Sequence, residues 1–196
     1  MTFPLPQIKA PRTMTARLIS GYSEPAVGEG GVTQRFMSAG AGKYAVDVKY
    51  PPMDFEDAST LVAALLRASR EEVTMKWQQP GLVIGAAPAA SGGNPNSSAN
   101  ATVLEVVASY AYVVRALQFF NVIGPDGHRY LHAATQANQI PGPLVVAPAV
   151  RIPVTGVTVL DFATPKIQGF VQGKETPWTV DEARHYGVAF SIVERK

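Results

Sequence analysis

The sequence contains no cysteine, which excludes disulfides, thiolate nucleophiles and cysteine-ligated metals. Charge is scarce as well: 16% of residues are Asp, Glu, Lys or Arg, against about 25% in an ordinary soluble domain. The signs nearly cancel, leaving a formal net charge of +2. No basic stripe is present, so an electrostatic grip on nucleic acid is not expected. Long apolar runs are also missing. The most apolar stretch, Val103 to Ile123, is broken by Glu105, Arg115 and Gln118 and is a poor bilayer span. The opening Met1-Thr-Phe-Pro-Leu-Pro6 has neither a basic n-region nor an unbroken apolar h-region, so no secretory leader is expected. These absences together point to a soluble protein without a membrane anchor.

What the chain does have is turn chemistry and apolar residues. Its 196 residues include 17 Gly and 16 Pro, and 46% are apolar. That excludes a disordered chain, which needs low hydrophobicity and high net charge. The turn content argues for a β-rich body rather than a helical bundle, and the length allows one large domain or two small ones.

Periodicity places the elements. Pro4, Pro6 and Pro11 deny ladder N–H groups, so the first twelve residues read as an extended arm. Thr15 to Ser20 alternates loosely, and Gly28, Gly30 and Gly31 predict a turn before Val32 to Met37. Tyr44, Val46, Val48 and Tyr50 alternate with polar neighbours, which predicts a strand with one wet face, entered from a hairpin turn at Gly40-Ala-Gly42. Asp54 then caps a helix whose apolar residues Phe55, Ala58, Leu61, Val62, Leu65 and Leu66 fall at helical spacing. Val73, Met75 and Trp77 alternate as a further strand. Residues 86–101 are almost all Ala, Pro, Ser, Gly and Asn, the composition of a linker or mobile loop. Beyond it come five short strand-like runs, 102–109, 119–123, 128–134, 144–147 and 157–162, separated by turns such as Gly124-Pro-Asp-Gly127. They suit a small barrel of the OB type. Lys166 to Val171 and the alternator Tyr186 to Ile192 close the chain, the latter expected to pair with the N-terminal half. The predicted fold is therefore mainly β with one α-helix. One domain comprises 1–85 plus 163–196, and a barrel over 102–162 is inserted after the 86–101 linker.

No motif commits the chain to chemistry. His128 and His132 would share one strand face with Tyr130, but a zinc site needs three or four converging ligands and only Asp126 is near. No Gly-x-Ser-x-Gly elbow exists, and Gly40-Ala-Gly-Lys43 lacks the spacing of a phosphate loop. Asp54, Glu56 and Asp57 are explained by helix capping and the helix dipole. Neither a cofactor, a metal nor an enzyme activity is expected.

The segments Met14-Thr-Ala-Arg-Leu-Ile-Ser20, Tyr44 to Gly81, Ala163-Thr-Pro-Lys-Ile-Gln-Gly169 and Trp178-Thr-Val-Asp181 with Gly187 to Ile192 resemble the distal tail (Dit) family of long-tailed, non-contractile bacteriophages. The version with an OB-like inserted domain is the one they are similar to. The resemblance implies a structural virion protein of the tail tip, a β-sandwich or split-barrel domain forming a hexameric ring. Such a ring joins the tail tube protein to the hub and receptor-binding proteins, and DNA passes through it without specific binding. Under that resemblance, ring contacts are expected from the arm and from two strands carrying Lys43, Asp47, Lys49, Met75 and Trp77. The barrel would project outward, with Phe119, Phe120, His128 and Tyr130 near its exposed end. Two other readings are another tail component (tube, terminator or hub-associated) and an OB module that binds saccharide or nucleic acid on an exposed aromatic platform.

Overall fold

The computed structural model describes residues 2–20, 22–23, 36–37, 42–93, 97–173, 178–181 and 185–195. Along the chain, β1 (Thr2–Pro4) and β2 (Thr13–Ile19) precede a short pair, β3 (Tyr22–Ser23) and β4 (Phe36–Met37). Then come β5 (Lys43–Lys49), the helix α1 (Phe55–Ala68) and β6 (Glu72–Lys76). The middle of the chain holds β7 (Ala90–Gly92), β8 (Val103–Ala108), β9 (Tyr112–Val114), β10 (Phe119–Ile123), β11 (Arg129–Ala134), β12 (Asn138–Ile140), β13 (Gly142–Ala147) and β14 (Val159–Asp161). It ends with β15 (Lys166–Gln172), β16 (Trp178–Val180) and β17 (Tyr186–Glu194). The fold is mainly β with one helix. The expected turns at Gly28–Gly31 and Gly40–Ala41 lie outside the described residues.

The chain divides into two units. The first is built from residues 1–17, 44–76 and 166–195. Its sheet runs in the order β1-β6-β15-β17-β5-β2. β1 lies parallel to β6, while β6 with β15, β15 with β17 and β17 with β5 are antiparallel. β16 pairs with the start of β17, Trp178 opposite Val188 and Val180 opposite Tyr186. The nine residues of β17 therefore serve β16 first and β15 afterwards. The expected alternator finds its N-terminal partner in β5, Phe190 opposite Val48 and Ile192 opposite Val46. The wet face expected on β5 is present at Lys43, Asp47 and Lys49, which are half-buried or exposed, and is interrupted by Ala45, which is buried along with Tyr44, Val46 and Val48.

Helix α1 follows from local rules. Asp54 accepts a hydrogen bond from the Asp57 N–H at 3.1 Å, acidic Glu56 and Asp57 occupy the first turn, and Arg67 the last. Ala58, Leu61, Leu65 and Ala68 form its buried stripe, packed against β17 and β15.

The second unit contains residues 77–165. Its strands close into a barrel in the order β10-β11-β13-β8-β7-β14, every neighbouring pair antiparallel. The interior is filled by Leu104, Val106, Phe120, Val122, Leu144 and Leu160 among others, with Phe120 and Phe162 stacked at 4.7 Å. The paired strands β9 and β12 add Val114 and Ile140 to the same core.

The expected linker is corrected here. Residues 86–101 contribute β7, a wall strand of the barrel and the sixth beside the five runs read from the sequence; residues 94–96 lie outside the described set. Small side chains are required for close approach rather than for flexibility. A Cβ on Gly92 would lie 2.4 Å from the Thr155 carbonyl oxygen, and one on Gly93 3.1 Å from the Glu105 carbonyl carbon.

Candidate functional site

The five residues expected at subunit contacts divide sharply. Met75 and Trp77 are 7% and 3% exposed, so neither presents a contact surface. Met75 stands opposite Ile167 in the β6–β15 ladder, and the Trp77 ring packs on Phe119 at 4.8 Å. Their alternation predicts a strand, which β6 provides as far as Lys76 with Trp77 just beyond it, but alternation cannot tell a face covered within the chain from one covered by a neighbour. Lys49 is exposed and Lys43 half-buried. Asp47 accepts hydrogen bonds from the Ser191 hydroxyl and from Arg17 Nη2. The Ser191 bond, with the Arg17 bond and charge behind it, outweighs partial burial and holds the carboxyl below its ordinary range. Asp47 therefore ties β5 to β17 and β2.

A different surface stands out on this unit. On β16 every residue is exposed, with Trp178 at 48% and Val180 at 54%. Both point to the same face as Tyr186 and Val188 opposite them. Phe55, 67% exposed at the helix start, meets the Tyr186 ring at 5.9 Å. Phe55, Tyr186, Val180 and Trp178 thus form a continuous apolar strip. The sequence offered a signal for it, the Trp-x-Val alternation at 178–180, but three residues are too few to separate a strand from a loop.

On the barrel, the expected aromatic platform does not form. Phe119, Phe120 and His128 are buried, and Tyr130 packs half-buried against the core. The reason is that β10 is covered on both faces: Phe120 and Val122 point into the barrel, Phe119 lies under Trp77, and Asn121 is buried beside it. Arg151 sits over the Tyr130 ring at 5.3 Å, and His128 meets the same ring edge-on at 4.7 Å. His132, opposite Phe120 in the ladder, is fully buried with Nδ1 2.9 Å from the Pro148 carbonyl oxygen. That contact assigns the proton to Nδ1, which donates to Pro148. Burial, reinforced by the Arg151 charge and only partly opposed by the Pro148 bond, pushes its pKa down to about 3. The histidine pair is thus part of the barrel's packing.

The barrel's outer wall carries a groove of about 700 Å³. Across it runs one row set by the ladder register: Val107, Ser91, Val159, Ile123 and Arg129. Arg129 Nη1 meets Asp161 Oδ2 at 3.0 Å at its edge. Burial raises the Asp161 pKa, but bonds from Thr164 and Arg129 with the Arg129 charge overcome it, so the carboxyl stays below its ordinary range. With the charges paired to each other, the groove offers an apolar floor and no reacting group.

No family model matches the chain, and no curated protein matches it. Among the described residues no three His, Asp or Glu side chains gather to hold a metal, and no helix is long and apolar enough to cross a membrane. What the described surface does offer is shape: sheet edges and an uncovered apolar strip.

Proposed function

We propose that the protein is a structural subunit of a phage tail tip, assembling as a hexameric ring through its sheet unit, with the barrel carried as an inserted accessory. The observation that carries this reading is the strip Phe55–Tyr186–Val180–Trp178. Exposed contiguous aromatic and apolar residues on a soluble chain mark surfaces that another protein covers, and Trp and Tyr are the residue types that dominate interface energetics. Two further features support it. Within the described residues β1 and β2 are the open edges of the sheet, and unpaired edges are satisfied most simply by neighbouring copies in a closed ring. The low charge of the chain also suits surfaces buried between subunits and a passage that must release DNA.

The test is the native mass and the image of the purified protein. Six chains per particle and a ring with a central hole are expected. Replacing Trp178 and Val180 together with Ser is expected to weaken assembly at least tenfold in concentration, the scale set by loss of about 1.4 kcal/mol at a contact. A wild-type protein that stays a single chain at all concentrations overturns the reading.

A further inference from the structure

The sheet order puts β1 and β2, consecutive in the chain, on opposite edges. Five inter-strand gaps separate them, a width of roughly 24 Å at the usual spacing. The nine steps from Pro4 to Thr13 span at most about 31 Å when fully extended. Folding back onto its own sheet therefore uses roughly three-quarters of the connector's full reach. Pro6 and Pro11 hold it extended, and Lys9 Nζ meets Asp57 Oδ2 at 2.8 Å on the way.

At its far end the arm fills a built slot. Thr2, Phe3 and Pro4 stand opposite Glu72, Val73 and Thr74, the Leu5 N–H donates to the Thr74 carbonyl at 2.9 Å, and the Leu5 side chain is buried. Glu72, itself buried, accepts from the Thr2 hydroxyl at 3.0 Å, and from Gln168 Nε2 and Arg195 Nη1 at 3.3 Å. Arg67 covers the Phe3 ring at 4.3 Å. The slot holds the arm through Thr2, Phe3 and Leu5, and these contacts are the same whichever copy supplies them.

We propose that in the ring each copy's arm, residues 2–11, docks on the β6 edge of the adjacent copy instead of its own. This rests on the ring reading above. In a head-to-tail ring of such sheets, the β2 edge of one subunit faces the β6 edge of the next. An arm leaving β2 then reaches the neighbour's β6 within one or two strand spacings, on the order of 5–10 Å, and need not cross its own sheet. Every contact of the slot is kept, since an exchanged element is identical in both copies, and each exchange adds a strand-to-strand link between subunits.

The absence of cysteine gives a clean cross-linking test. Pro4 and Thr74 are register partners, and neighbouring strands bring such pairs within the Cα separation that a disulfide spans. The singly substituted chains P4C and T74C are mixed, assembled and oxidised, and the doubly substituted chain is oxidised alone. Exchange predicts a mixed P4C–T74C disulfide dimer from the first and a covalent ladder rising to six chains from the second. A double variant that cross-links within one chain while its native mass remains six chains overturns the exchange and leaves the ring standing. The same internal cross-link in a protein that is a single chain overturns both. Rings without any disulfide also overturn the exchange.

Discussion

From well above pH 6.5 to well below pH 3 the barrel is expected to lose about 5 kcal/mol of stability through His132 alone, the value of a shift from 6.5 to about 3 at 1.36 kcal/mol per unit. The sign follows from which state binds the proton. In the folded barrel the imidazole is neutral, enclosed beside Phe120, with Nε2 lacking a hydrogen-bond partner and the Arg151 charge opposing protonation. In the unfolded chain it titrates near its ordinary 6.5. The stabilisation is thus complete above pH 6.5 and drains away as pH falls towards the folded value. The carboxylates with lowered pKa, Asp47, Asp161 and Glu71, lose their contribution mainly below their unfolded values near 4, so in the window from 6.5 to 4.5 a comparison with a variant lacking the imidazole reads His132. Urea unfolding followed by Trp77 fluorescence in a Trp178→Phe background reads the barrel unit. His132→Gln, which keeps an amide donor for the Pro148 carbonyl but cannot titrate, is expected to flatten the pH slope in that window by up to about 1.4 kcal/mol per unit. An unchanged slope would show that His132 is not buried neutral.

The helix was legible because everything that forms it is local: Asp54 reaches only to Asp57, and the stripe Ala58, Leu61, Leu65 and Ala68 repeats every turn. The long strands β5, β15 and β17 were legible for the same reason. The pair β9 and β12 was not. Neither three-residue β9 nor β12 has a pattern of its own, and each exists because the other pairs with it and Val114 and Ile140 find the barrel core. Residues 90–92 have the composition of a linker, and only the backbones around Gly92 explain why small residues are needed there. Burial was the hardest property to read. Trp77 and Phe119 hide one another across a sequence separation that no periodicity reports, so residues expected on two surfaces became one packed pair. The reverse holds for Trp178 and Val180, apolar residues left uncovered by their own chain.

The sheet unit carries the second large expected effect, at Gly169. This residue sits in β15 between Val73 of β6 and Glu194 of β17. A Cβ there would lie 2.0 Å from the Val193 carbonyl oxygen, 2.7 Å from its carbon and 2.8 Å from the Glu194 Cα. All three are backbone atoms of the adjoining strand, so no side chain can swing away to make room. The strands would have to part, breaking the ladder from Gly169 to Gln172 and loosening Glu194, whose buried carboxylate accepts the Tyr44 N–H at 3.0 Å. Gly169→Ala is therefore expected to cost about 3 kcal/mol or more, at the upper end of overpacking penalties. Gly156→Ala is the control: its nearest atom, the Gly92 carbonyl oxygen, stands 3.9 Å away, and its effect should stay within about 0.5 kcal/mol. Denaturant midpoints of the two variants decide the matter, and a Gly169→Ala protein as stable as the control would mean that β15 and β17 do not approach this closely. Because β17 also supports β16, the strand that presents Trp178 and Val180, a separation of β15 from β17 is expected to weaken assembly as well. Assembly that survived undiminished in the destabilised variant would detach the apolar strip from the ring contact.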